Sequence, residues 1–345
     1  MDIAAAKAAL ADLDIDDNPA AVRAKSRDFF WYSPVLKDRL EHVSADFVAM
    51  PRNQDEVLRV LAVCHAHDVP VTVRGSGTGN YGQAMPLAGG CILHMQNMAE
   101  VLEIGPGRVT TQPGVVIRDL DRITRDHSGQ ELRMMPSTAG TATIGGFICG
   151  GSGGVGSVRW GLLRDYGNIL RIRVATMEAQ PRILDFTGED LARVSHAYGT
   201  NGIITEVEFR VRALQPTSVR LVSLPDAAAL DGTIADIRAA QMPLWSITFL
   251  NPESARLKKM LPGRSCHAYE AAEEQADADL EASLPETYLL LMAFPEARTQ
   301  AVDEPLQRIV AARGGTFLPD ALAQKEWESR TAPMRLKRLG PSIIP

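Results

Sequence analysis

The segment "TATIGGFICGGSGGVGS", Thr141 to Ser157, restricts the folds open to this chain more than any other stretch. Nine glycines lie between Ser137 and Gly161. Each glycine loses more backbone freedom on folding than any other residue, so a run of them destabilises a fold unless the missing side chains serve a purpose. A flexible linker is one purpose. Ile144, Phe147, Ile148, Cys149 and Val155 speak against it, because they interrupt the run with side chains that seek burial. A nicotinamide-binding Rossmann turn is another, since "GSGGVG", Gly151 to Gly156, fits GxGxxG. That unit requires a strand just before, a long helix just after, and an acid about 20 residues further on. "GGFICGG" is a poor strand, "SVRWGLLRDYGN" is broken by Gly161 and Gly167, and no acid closes a clear second strand. The remaining purpose is a wall of bare main chain against which a flat or phosphorylated ligand lies, with amide N–H groups forming an anion-binding nest.

A second stretch asks for the same explanation. "VRGSGTGNYGQ" ends a strand at Arg74 and continues with glycines at 75, 77, 79 and 82, spaced by the small hydroxyls of Ser76 and Thr78. Standing alone it could be a pair of tight turns; as a ligand loop it suits a pyrophosphate. Two such loops in one domain suggest a single extended ligand held from two sides.

The chain of 345 residues is long enough for two domains with real cores, and 45% hydrophobic with 23% charged residues is ordinary for a soluble globular protein. A formal charge of -6 gives no sign of a nucleic-acid or anionic-membrane partner. Cys64, Cys91, Cys149 and Cys266 form no CxxC pair and read as buried reduced thiols. The N-terminus lacks a signal-peptide core, and apolar runs such as "YLLLMAF" are too short to span a bilayer, so the expected location is cytoplasmic. No His/Cys/acid cluster specifies a metal.

Residues 1–42 read as a peripheral segment with one short helix, Ala4 to Leu13, and an aromatic cluster in "FFWYSPVL". From Phe47 a strand–helix–strand pattern follows. Asn53 is its helix N-cap, with Glu56 three residues on and Val57, Leu61 and Cys64 on one face. A second unit starts near Arg108, with a helix lined by Val116, Leu120 and Ile123 that ends before Gly129. "NILRIRVATMEAQPRILDF" predicts a hairpin, and "IITEVEFRVRAL" a long alternating strand closed by Pro216. Beyond it, "VRLVSL", "PLWSITFLN", "YLLLMAFPE" and "TFLPD" predict a smaller antiparallel sheet, with helices over Pro225–Ala240 and Thr299–Ala312.

In this order, "PRNQDEVLRVLAVCHAHDVPVTVRGSGTGNYGQAMPL", "QPGVVIRDLD", "PSTAGTATIGGFICGGSGGVGS" and "YGTNGIITEVEF" resemble the FAD-binding domain of the vanillyl-alcohol oxidase / p-cresol methylhydroxylase family. Within it the chain looks most like the glycolate oxidase subunit and D-lactate dehydrogenase-like branch. The resemblance implies an α+β fold: a p-cresol methylhydroxylase (PCMH)-type FAD-binding domain of two α+β subdomains over 43–218, then an α+β substrate cap over 219–345 with an antiparallel sheet. Relatives continue further, so the cap is expected to be truncated and the activity of this chain alone is open.

The resemblance also implies a cofactor, FAD, and its contacts. Arg74, Gly75, Ser76, Gly77 and Thr78 would form the pyrophosphate loop, continued by Asn80, Tyr81 and Gly82. Pro136, Ser137, Thr138, Thr141, Thr143, Gly145 and Gly146 would line the ribityl chain and ring, and Gly150, Ser152, Gly153, Gly156 and Gly161 would extend that wall. Gly202, Ile203 and Ile204 would meet the adenine end through their main chain. Many family members attach flavin to a histidine of the first loop. "RGSGTGNYG" contains none, so non-covalent FAD is expected.

The family's usual reaction implies dehydrogenation of a small 2-hydroxy acid, glycolate- or D-lactate-like, by hydride transfer to flavin N5. Trp327 and Arg330 match a Trp-x-x-Arg pattern whose arginine resembles a substrate-carboxylate binder; spacing alone favours reading Arg330 as one of several basic residues on a solvated helix. Met334 stands where the family has threonine. Two alternatives remain: an FAD-dependent oxidase of a sugar or aromatic alcohol, and a non-catalytic FAD-binding subunit. Expected partners are the hydroxy acid or alcohol, an electron acceptor, and a second copy or companion redox subunit.

Overall fold

The computed structural model describes residues 1–151, 153–260 and 279–329. The chain divides into two units, Met1–Leu214 and Gln215–Pro345.

The first unit opens with α1 (Ile3–Ala9), β1 (Ile15–Asp16), α2 (Pro19–Lys25) and α3 (Pro34–Leu40), then β2 (Phe47–Ala49), α4 (Gln54–Ala66), β3 (Val71–Arg74) and β4 (Cys91–His94). Their four strands form a sheet in the order β1-β2-β4-β3, with β4 parallel to both β2 and β3. The Asn53 cap is reciprocal: its side-chain oxygen accepts from Glu56 N at 2.9 Å, while its Nδ2 donates to the Glu56 carboxylate at 2.9 Å. Registered residues of parallel strands point to the same face. Leu93 packs among Val57, Leu61 and Cys64 of α4, and Ile92 packs with Val48 and with Val22 of α2. α4 therefore covers one face and α2 the other. Arg74 pairs with His94, so both side chains emerge on the α2 face at the carboxyl ends of their strands.

The second sheet of this unit is built from β5 (Val101–Gly105), β6 (Arg108–Thr111), α5 (Ile117–Ser128), β7 (Gln130–Leu132), α6 (Ile144–Gly150), α7 (Ser157–Trp160), β8 (Ile169–Ala175), β9 (Ile183–Thr187) and β10 (Ile203–Ala213). It runs β5-β6-β10-β8-β9, antiparallel, with β7 also on β10. Along β10 the alternation expected from sequence holds: Val207, Phe209 and Val211 are buried with Ile172, Leu120 and Ile148. α5 ends at Gly129, which takes φ 61° and the left-handed cap that glycine tolerates. Ile203 belongs to the core of the first sheet and its neighbour Ile204 to the core of the second.

The glycine run differs from a continuous irregular wall. Thr143 caps a seven-residue helix, α6, that contains Gly145, Gly146 and Gly150. Glycine in a helix interior is unfavourable by about 1 kcal/mol relative to alanine. Close packing explains Gly145, because a Cβ there would lie 2.5 Å from Pro113.

The second unit contains β11 (Thr217–Leu224), α8 (Ala227–Ala239), β12 (Ser246–Leu250), α9 (Pro252–Lys259), β13 (Tyr288–Pro295), α10 (Thr299–Ala312), β14 (Thr316–Phe317) and α11 (Asp320–Glu328). Its antiparallel sheet runs β12-β13-β11-β14. Leu289 to Phe294 are all buried, so β13 is covered on both faces. Trp327 of α11 meets Trp245 edge to face at 5.4 Å. Cys266 and Arg330 lie outside the described residues.

Ile172 is 0% exposed at the centre of the second sheet's core. Ile172→Ala should lower stability by about 3 kcal/mol through lost burial and the cavity left behind. Leu102→Ala, at a site 45% exposed, should change it by less than about 0.5 kcal/mol. Urea-unfolding midpoints of the two variants check the contrast.

Candidate cofactor site

The first glycine-rich loop begins where β3 ends. Gly77 takes φ 67°, and the Arg74 guanidinium folds back so closely over it that a Cβ on Gly77 would lie 2.0 Å from Nη2. Arg74 is 7% exposed. Its Nη2 reaches Ser76 O only at 3.5 Å, and its Nε and Nη1 are buried without an acceptor. The Ser76 hydroxyl accepts from Gln96 Nε2 at 3.2 Å. Further along, Gly79 O accepts from Phe29 N at 2.8 Å, and Gly82 N donates to Asp28 Oδ2 at 2.8 Å. Tyr81 is exposed.

The second glycine-rich stretch meets the first directly. A Cβ on Gly75 would lie 2.3 Å from Thr143 Oγ1, so the absence of a side chain at 75 permits the contact. Gly145 N donates to Pro113 O at 2.9 Å, and Gly114 packs against the carbonyls of Met95, Gln96 and Met98, just beyond β4. Pro136 to Ala142 form a turn in which Thr138 O accepts from Thr141 N and Ala142 N. Pro136 and Thr143 are buried in this stretch, whereas Ser137, Thr141 and Gly146 are exposed.

Past α6 the chain runs against residues 133–135. Met135 and Val155 exchange main-chain hydrogen bonds of 3.0 and 2.8 Å, and Gly154 and Gly156 lie on the carbonyls of Met135 and Arg133. Gly153 lies against Leu162 and Ser157, and Gly161 against Asp165. Ser152 lies outside the described residues.

The end of α6 is tied to the turn before β10. His196 N donates to Ile148 O at 3.0 Å and Tyr198 N to Cys149 O at 3.1 Å, with positive φ at both His196 and Tyr198. The His196 ring rests on Gly151, Gly199 lies against Val73, and Gly202 lies against Val174. Ile203 and Ile204 bury their side chains in the two cores, and in the sheet they register with Ala175 and Val174 of β8. Cys149, half-buried in the glycine run, has its thiol pushed up to about 11 by burial and is therefore a poor nucleophile at neutral pH.

The electrostatics around the first loop are lopsided. Burial lowers the proton affinity of Arg74, with Asp28 acting against the shift. Burial and then the Arg74 charge lower that of Lys25. Lys25 Nζ lies 3.4 Å from His94 Nε2, and lysine can only donate, so Nε2 accepts and His94 is neutral. Burial, then Lys25 and Arg74, bring His94 down to about 4. Asp28 is raised by burial despite accepting hydrogen bonds from Phe30 N and Gly82 N. Two cations, a neutral imidazole and one carboxylate thus border a glycine loop. A buried guanidinium with two nitrogens lacking acceptors is expensive to maintain, and a diphosphate fits this donor set. Among the described residues no group of three His, Cys, Asp or Glu could hold a metal.

Lys25, Asp28 and Gln96 escaped the sequence reading. They lie in or beside loops with no periodic pattern, and the partners of Lys25 and Asp28 are 69 and 54 residues away.

Residues 45–181 match the FAD binding domain family. FAD is the cofactor of such a domain, as the resemblance implied. The chain is 35% identical over 216 residues to the glycolate oxidase subunit GlcD of Bacillus subtilis, a match covering 60% of this chain and 45% of the relative. It is 33% identical over 201 residues to GlcD of Escherichia coli K12, covering 56% and 40%. It is 26% identical over 227 residues to D-lactate dehydrogenase of Archaeoglobus fulgidus, covering 63% and 50%. The matches thus span half or less of each of these relatives. Among solved structures, an alkyldihydroxyacetonephosphate synthase superposes with TM-score 0.73 at 18% identity, covering 92% of this chain and 60% of that one. Wild-type Physcomitrella patens BBE-like 1 gives 0.63 at 12%, covering 91% and 62%. These likenesses show the fold, which is α+β of the PCMH type.

Two measurements follow from this geometry. His94 binds a proton near pH 4 when folded and near pH 6.5 when unfolded. Between those values the unfolded chain holds a proton that the folded chain lacks, so stability falls as pH drops. The loss attributable to His94 between pH 7 and 5 should be up to about 2 kcal/mol, and H94Q should be less sensitive to pH over that range. Urea midpoints at both pH values test this, and an equal slope in H94Q would reject it. Separately, Gly77→Ala places a Cβ on the Arg74 guanidinium in a left-handed conformation. It should weaken FAD binding by about tenfold or more, read as flavin retained per chain after gel filtration.

Proposed function

We propose that this chain is an FAD-dependent oxidoreductase that dehydrogenates the CH–OH group of a small 2-hydroxy acid. The observation that carries the reading is the meeting of two bare main-chain stretches at Gly75 and Thr143, beside a buried Arg74 guanidinium with acceptors still to be met. The substrate class is supported by relatives named for glycolate oxidation and D-lactate dehydrogenation.

Bound FAD supplies the acceptor for the hydrogen removed from the carbinol carbon. The chain's own part is to bind and orient. In this reading Arg74 to Thr78 receive the diphosphate, with Asn80, Tyr81 and Gly82 completing the loop. The Pro136–Gly146 stretch lines the ribityl chain and ring, Gly150 to Gly161 continue the wall, and the main chain of Gly202, Ile203 and Ile204 meets the adenine. Attachment is non-covalent, supported by the lack of histidine in the first loop. Arg330 is the proposed fork for the substrate carboxylate, a role that suits a rigid bidentate donor. An electron acceptor completes the reaction, and a companion redox subunit is supported by relatives named as subunits. Among the described residues no helix is long and apolar enough to cross a membrane; a cytoplasmic location is part of the proposal.

The reading is tested by mixing the flavin-loaded protein anaerobically with glycolate, D- and L-lactate, sugars and aromatic alcohols. Bleaching of the flavin spectrum by a 2-hydroxy acid is expected, and R330K should retain FAD while needing about tenfold more acid for the same bleaching. Bleaching by sugars or aromatic alcohols alone would replace the substrate class. A yellow protein that no donor bleaches would leave an FAD-binding subunit without this activity.

A further inference from the structure

The segment Asn18–Ser33 precedes the matched family region, residues 45–181, yet it makes the contacts that fix the middle of the first glycine loop. We propose that this segment completes the diphosphate site: Asp28 holds the Gly75–Gln83 loop in its receiving shape, and Lys25 supplies a second cation beside Arg74. The proposal rests on the FAD reading and adds residues to it.

Three features support a binding role over a packing role alone. The first is connection. Phe29 N holds Gly79 O at 2.8 Å, and Asp28 divides its two oxygens between Phe30 N and Gly82 N, each at 2.8 Å. One carboxylate thus couples the turn of the N-terminal segment to the loop, and it is 6% exposed. Without it Gly82 N, and with it the far end of the loop, would lose a charge-assisted bond. The second is placement. α2 covers the sheet face on which Arg74 and His94 emerge, so its last residue, Lys25, reaches the carboxyl ends of β3 and β4. Ligands of parallel α/β sheets bind beyond those ends.

The third is charge. Lys25 and Arg74 repel one another across a neutral His94. Among the described residues Asp28 is the one acid acting on Arg74, and its oxygens are already occupied by main-chain N–H groups. The cluster has an unbalanced positive charge and two guanidinium nitrogens lacking acceptors. A dinucleotide diphosphate supplies both the negative charge and the oxygens. Asp28 acts through the loop, and is therefore a positioning residue.

The experiment titrates the full-length chain, stripped of flavin, with FAD and with riboflavin, which lacks phosphate. Flavin fluorescence is followed at low and at high salt for wild type, K25Q and D28A. K25Q should bind FAD about tenfold more weakly at low salt and show a shallower salt dependence, with unchanged affinity for riboflavin. D28A should lose FAD affinity by a similar factor and keep its riboflavin affinity. FAD binding in both variants equal to wild type at each salt would overturn the inference and leave the FAD reading standing. Equal weakening of FAD and riboflavin would also overturn it, because it would mark a general packing defect. A wild-type protein that binds neither flavin would overturn the FAD reading and this inference together. If D28A does not fold, K25Q, changed at the half-buried end of α2, decides the matter alone.

Discussion

Arg74 leaves β3 with its guanidinium turned back over Gly77, where two of its nitrogens are shut from water and meet no acceptor. Much of the first unit can be understood as the means of keeping a cation there. The parallel sheet brings Arg74 alongside His94, α2 closes the face above them, and the two glycines at 75 and 77 let Thr143 and the guanidinium itself approach the main chain. A side chain at either glycine would force the loop open. The arrangement therefore stores an unmet demand for negative charge at the point where two glycine-rich stretches touch. In the proposed function, the diphosphate of FAD meets that demand.

Local pattern made much of this fold legible. The cap formed by Asn53 and Glu56, the hairpin of β8 and β9, the alternation of β10 and the span of α10 each depend on residues a few positions apart. β4 was missed because "CILH" is four residues long and follows two glycines, although it is the strand that joins β2 to β3. α6 was missed because three glycines obscure a helix that Thr143 starts and tertiary packing sustains. The two glycine loops were visible as composition. Their contact at Gly75 and Thr143 was not, since it joins positions with no shared periodicity.

The N-terminal segment teaches the same point about charge. Asp28 and Lys25 look like ordinary polar residues beside a run of aromatics. Their meaning depends on Gly82 and His94, which only the folded chain brings near. A buried carboxylate whose oxygens both serve main-chain N–H groups has no linear signature, because its partners are defined by backbone shape and not by residue type.

The opposite burial of Ile203 and Ile204 has a mechanical consequence. A single peptide bond is anchored in two separate interiors, so β10 cannot rotate or slide without disturbing both. The two sheets of the first unit are pinned to each other at that bond with no slack residue between them. A slip of β10 by one residue would turn each of these side chains toward the wrong interior.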